Sequence, residues 1–113
     1  MKPYLLLAAA PLLVAATPEE ELRKDVRCFA AMGMLVQHED ETVRNAALMA
    51  AQYYLGRIDG RAPSADLEDL LAREAPSLAG QDNAALMRAC GALLQTRGAA
   101  VVAVGNKLKA RGF

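Results

Sequence analysis

CGALLQTRGAAVVAVGNKLKARGF runs from Cys90 to Phe113. Its glycines, Gly91, Gly98, Gly105 and Gly112, stand seven residues apart. Met87, Leu94, Val101 and Leu108 keep the same interval. A helix returns to the same face after seven residues, whereas a strand alternates at every second one. The run AAVVAV (Ala99–Val104) could suggest a strand by itself, but it lacks alternation and the seven-residue phase continues through it. The period therefore predicts helix for the last part of the chain and an all-α fold, a small bundle of four to five helices.

Glycine inside a helix costs roughly 1 kcal/mol relative to alanine, so Gly91, Gly98 and Gly105 together cost about 3 kcal/mol. A groove that receives a neighbouring helix would offset that cost. Helix one or two of the same chain is the expected neighbour, with Ala46, Ala47 and Ala50 as small partners. A straight helix over residues 82–110 would measure about 43 Å. A compact domain of this size has a radius of gyration near 12–13 Å. Arg97-Gly98 has the look of a helix end and a new start, so a break near Gly98 is expected. The alternative is a projecting tail that serves as an association surface.

At the other end stands MKPYLLLAAAPLLVAA, residues 1–16 of 113. Lys2 precedes an apolar run from Tyr4 to Ala16, and Val14 and Ala16 offer small residues before a cut. This is a secretory signal-peptide pattern. The run is shorter than the roughly 20 residues of a membrane span, and Pro11 interrupts it. The expected organisation is a signal peptide over 1–16 and a single helical domain over 17–113. The expected location is periplasmic or secreted, with no membrane insertion after cleavage. An uncleaved anchor is the alternative. Removing Lys2 from the 13 basic residues leaves 12 against 13 acidic ones, a net charge of −1. Nucleic acid calls for a concentrated basic face, which this balance does not supply.

Cys28 and Cys90 are the only cysteines. In an exported chain an even pair is expected as a disulfide. Closing a loop of about 62 residues stabilises a fold by on the order of 4 kcal/mol in the chain-entropy model. Two buried free thiols are the alternative.

The remaining helices follow from caps and stripes. Thr17-Pro18-Glu19-Glu20 reads as a helix start, with Thr as cap, Pro at the first position and Glu at the third. Leu22, Val26, Phe29, Gly33 and Val36 then mark one face. Asp40 or Thr42 caps a second helix with the stripe Val43, Ala47, Ala50, Tyr54 and Ile58. Gly60 is expected to end it in a left-handed conformation. Ser64 or Asp66 caps a third, holding Leu67, Leu70 and Leu71, which Pro76 is expected to stop before a loop over 77–81. Asp82 caps the last.

Reactive constellations are sparse. His38 is the sole histidine, and Ser64 and Ser77 are the sole serines, neither in a nucleophile elbow. His38-Glu39-Asp40-Glu41 matches no metal-ligand spacing. Asp66, Glu68 and Asp69 suit a helix start, where negative charge is favourable. The glycines lie along a helix instead of clustering between strand and helix to hold phosphate. No catalytic residue, metal or cofactor is expected. A small envelope enzyme with an unfamiliar site, or a passive structural component of the envelope, is the alternative.

The order of features resembles the HdeA-like group of exported helical proteins, which includes periplasmic acid-stress chaperones and the Rap/Tai immunity proteins of type VI secretion. The resemblance lies in a cysteine in an early helix (Cys28), a Tyr-rich helix ending YYLGRIDGR (Tyr53–Arg61), a short acidic helix, and a second cysteine (Cys90) opening the last helical region. It implies a Cys28–Cys90 link and a periplasmic protein that binds other proteins, either as a chaperone or as an inhibitor. Lys107, Lys109 and Arg111 are a weaker version of the Lys-rich chaperone termini. Tyr53, Arg57 and Arg61 are the candidate protein-binding residues, since Tyr and Arg carry interface energy. Tyr54 falls on the core stripe, and Tyr53 lies about 100° away from it. Arg57 and Arg61 have surface ion pairs of little value as their structural alternative. The expected partner is a protein, with a homodimer among the candidates.

Overall fold

The computed structural model describes residues 15–80 and 82–113. Most of the expected signal peptide, residues 1–14, lies outside them. Four helices follow in order: α1 (Pro18–Leu35), α2 (Glu41–Arg61), α3 (Leu67–Ala79) and α4 (Asn83–Ala110). No strand and no fifth helix occurs among the described residues. None of the helices there is long and apolar enough to cross a membrane.

Each helix starts where a side chain satisfies its free amides. Thr17 and Glu20 form a reciprocal capping box at 3.2 Å in both directions, with Pro18 at the first position. Asp40 accepts from the amides of Thr42 (2.8 Å) and Val43 (3.4 Å). Asp66 accepts from Glu68 (2.9 Å) and Asp69 (3.3 Å), and Asp82 from Ala84 (3.0 Å). Asp40 and Asp66 thus take the roles for which Thr42 and Ser64 were the other candidates. The bend between α1 and α2 is tied by Arg44, which donates to the carbonyls of His38 and Glu39.

Helix α1 is the hub, packing most extensively on α2 and also on α3 and α4. Ala31 and Met32 from α1, Ala50, Ala51 and Tyr54 from α2, and Cys90 from α4 form the buried centre. Phe29, Tyr53, Leu86, Met87, Leu93 and Leu94 pack around it. The α2 stripe is buried as expected from Ala47 to Ile58, with Val43 at its half-buried edge.

Three expected helix ends differ from the structure. Gly60 does not stop α2, which continues to Arg61. Among the described residues only Gly112, just past α4, takes a positive φ, at 91°. Pro76 lies inside α3, and residues 77–79 are helical where a loop was expected. Proline's fixed φ suits a helix; its missing amide forfeits one bond, to the Ala72 carbonyl, and α3 ends three residues later. The Ser77 hydroxyl donates to the Glu74 carbonyl at 2.8 Å, sharing its proton with the Glu74 carboxylate at 3.2 Å.

Gly98, finally, is no break. Helix α4 is continuous over 28 residues, about 42 Å. Gly98 keeps a negative φ, and the alanines around it, Ala92, Ala99 and Ala100, are strong helix formers. Every residue from Val101 to Ala110 is exposed. The helix projects beyond the rest of the bundle, as in the alternative expectation.

Candidate protein-binding face

The disulfide joins Cys28 of α1 to Cys90 of α4, with Cα atoms 5.6 Å apart. Tyr54 reaches the same point from α2, where its hydroxyl donates to the Cys90 carbonyl at 2.6 Å. Three helices are therefore fastened at one place by a covalent bond and a buried hydrogen bond. Burial, with the neighbouring Tyr53 adding to it, pushes the Tyr54 hydroxyl up to about 12, so it stays a neutral donor across the physiological range.

Two carboxylates that no sequence motif singles out brace the same assembly. Asp25 of α1 is buried and accepts from Nε of Arg57 and Nε of Arg61, both on α2 and both at 2.8 Å. Glu74 of α3 is buried and accepts from Nε of Arg23 (2.7 Å) and Arg27 (2.9 Å) on α1, and from Ser77 (3.2 Å). Each clamp uses two arginines four residues apart, which share a helix face. Burial alone would push the Glu74 carboxyl up. Hydrogen bonds from Arg23 and Arg27 outweigh it and hold the group below its ordinary value.

Arg57 and Arg61, expected as protein-binding anchors or as surface ion pairs of little value, thus hold a carboxylate whose side chain is only 3 % exposed. The structure gives them a bracing role. The signal was in the sequence: two arginine pairs at i,i+4 (Arg23/Arg27 and Arg57/Arg61) with unassigned acids on neighbouring helices.

Tyr53 stands differently. It is half-buried, its ring edge-on to Tyr54 with centroids 5.3 Å apart, and the Arg57 guanidinium lies 5.8 Å from its ring centre. Its outer side lines an open groove of about 590 Å³ between α2 and α4. Ala46 and Met49 continue the α2 wall, and Leu94, Gly98 and Val101 form the α4 wall. Beyond the groove α4 presents Val101, Val102, Val104 and Leu108 to solvent, with Phe113 past its end. Met49 and Val101 are each 72 % exposed.

The glycines were expected to receive helix one or two of the same chain. That expectation fails, because a Cβ built on Gly91, Gly98 or Gly105 would meet nothing within 4 Å. The helix lies too far from α2 for those small residues to be needed within the chain. Ala47 and Ala50 are buried in the core, and Ala46 lines the open groove.

The polar residues considered for chemistry have structural occupations. His38 Nδ1 accepts from the Asp40 amide at 3.0 Å in the α1–α2 bend. Ser77 serves Glu74, and Ser64 is exposed in the turn before α3. Among the described residues no group of three or more His, Cys, Asp or Glu side chains is placed to hold a metal. A smaller cavity of about 290 Å³ beside the disulfide is walled by Tyr54, Leu86 and Leu93 and rimmed by Lys24 and Arg57. What the molecule offers on its outside is an apolar groove continued by an apolar helix. Compared with known proteins, the chain matches no family model, no curated protein and no solved structure.

Proposed function

We propose that this is an exported, non-catalytic helical protein that acts by binding protein, and that it binds through the α2–α4 groove and the exposed length of α4. One observation carries this reading: a helix anchored by a disulfide at Cys90 holds an apolar face in solvent beyond Gly98. Contiguous exposed apolar surface beside polar residues marks interaction sites in soluble proteins. Helix-in-groove docking uses residues at i, i+3, i+4 and i+7, the spacing of Leu94, Gly98 and Val101. The order of features shared with the HdeA-like group points the same way, towards a chaperone-like or inhibitor-like role in the periplasm. Tyr53 is the sequence candidate that remains at the face, as an aromatic wall of the groove.

The test is capture on immobilised protein from envelope extract, followed by affinity measurement with what is retained. Val101→Glu places a charge in the centre of the face and is expected to weaken binding tenfold or more, equivalent to about 1.4 kcal/mol. Substituting Ser64, which lies in the exposed turn before α3, is expected to leave binding unchanged. A partner indifferent to Val101→Glu would place binding elsewhere.

A further inference from the structure

We infer that the occupant of this face is a second copy of the same chain, with the two α4 helices antiparallel about a two-fold axis that falls between Gly98 and Val101; this rests on the face being a protein-binding one. In heptad terms, glycine fills one core position of α4 (Gly91, Gly98, Gly105, with Gly112 just beyond) and Met87, Leu94, Val101 and Leu108 fill the other. The single chain makes no packing use of the three helical glycines, which face open space. Small residues in a helix face permit another backbone to approach closely.

Reversing the direction of the second helix matches knobs to holes along the seam. Val101 falls opposite Gly98 of the other copy, Leu94 opposite Gly105 and Leu108 opposite Gly91. Met87, packed on its own core, and Gly112, past the end of α4, lie outside the seam. A parallel pair would instead set glycine against glycine and Leu or Val against its own kind, alternating gaps with crowding. A two-fold contact must be self-complementary, and this series is. The groove of each copy supplies a second wall, from Ala46, Met49 and Tyr53, for the incoming helix.

The area suffices. Burying a Val or Leu side chain removes on the order of 100 Å² from water. About five exposed apolar side chains per copy, Met49, Val101, Val102, Val104 and Leu108, give roughly 1,000 Å² across the two copies, the least that a specific interface needs.

Charge then separates this occupant from others. Helix α4 carries Arg88, Arg97, Lys107 and Lys109 and no acidic residue. In the antiparallel pair Arg88 flanks Lys109 of the second copy, so added salt relieves repulsion and tightens the dimer. An acidic protein or an anionic membrane would be attracted by the same charges, and salt would loosen it.

The experiment is sedimentation velocity on the purified protein from about 1 to about 200 µM, a span that brackets micromolar dissociation. A monomer–dimer equilibrium that tightens between low and high salt is expected. Gly98→Leu and Val101→Glu should each raise the dissociation constant at least about tenfold. Gly98→Leu enters open space in the single chain, so its helical circular dichroism and melting should be retained; should Val101→Glu misfold, this variant still decides. A spin label at Ala110→Cys should report a separation of about 30–40 Å in the antiparallel pair and under about 20 Å in a parallel one.

A monomer throughout the range overturns the proposal, as does a dimer indifferent to both variants or one with the short label separation. Flotation with vesicles of three parts phosphatidylethanolamine to one part phosphatidylglycerol, lost at high salt, would overturn it in favour of a lipid surface. A monomer that still captures an envelope protein, sensitive to Val101→Glu, sinks the second copy and leaves the protein-binding reading standing. A monomer that captures nothing sinks both.

Discussion

The two halves of α4 share one helix and one seven-residue pattern, yet they meet opposite surroundings. From Leu86 to Leu94 the helix is pinned to α1 by the disulfide, to α2 by the Tyr54 hydroxyl, and to the core by Met87, Leu93 and Leu94. From Val101 to Ala110 every residue is exposed. The pattern that marks a helix face therefore does not say what lies against it. Burial is decided by the length of the neighbouring elements: α1 spans 18 residues and α4 spans 28, so the longer helix outruns its supports.

The difference can be broken from the anchored side first. Removing the disulfide, by reductant or by Cys28→Ala with Cys90→Ala, should lower stability by about 4 kcal/mol, given its closed loop of 62 residues. Urea melts read on tyrosine fluorescence and on far-ultraviolet circular dichroism would show it, and an unchanged midpoint would remove the main reason for a rigid α4.

Next come the clamps. Asp25→Ala leaves Arg57 and Arg61 partly desolvated without their anion, and should cost about 2–3 kcal/mol, less than a fully buried pair because both guanidiniums are about a third exposed. Glu74 adds a pH dependence. Its folded value lies below its ordinary value of 4.5, so the folded chain binds fewer protons there than the unfolded chain. Its stabilisation is complete above that ordinary value and is lost as pH falls through the depressed one. The stability difference between the wild type and Glu74→Gln should accordingly be constant near neutrality and shrink below about pH 4.5.

Smaller effects sharpen the contrast. Tyr54→Phe removes a buried 2.6 Å hydrogen bond and should cost about 1–2 kcal/mol. Leu108→Ala, on the far half of the same helix, should change the stability of dilute protein by less than about 0.5 kcal/mol. Thermal melts of both variants under one condition test the two halves side by side.

Much of this architecture was legible in the residues. Thr17 with Glu20, Asp40, Asp66 and Asp82 announce helix starts through chemistry that operates within four residues. The stripe from Ala47 to Ile58 and the even cysteine pair likewise needed no knowledge of the fold. The helix ends were less legible. Gly60, Pro76 and Gly98 all carry residues that often stop a helix, but each is also compatible with αR, and the surrounding helix formers prevail. Asp25 and Glu74 were hidden for another reason. An acid in a charged stretch such as RKDVR (Arg23–Arg27) looks solvated, and its burial depends on arginines 32 to 51 residues away in sequence. The half-burial of Tyr53 follows from its offset to the core stripe. The groove was missed because the helices were expected to close it.

The covalent tie also governs how the molecule would come apart. A protease that nicked the short connector between Ala79 and Asn83 would divide the chain into two fragments without releasing either one. The C-terminal fragment would remain tethered to the N-terminal one through sulfur, and the pair would separate on a denaturing gel only after reduction.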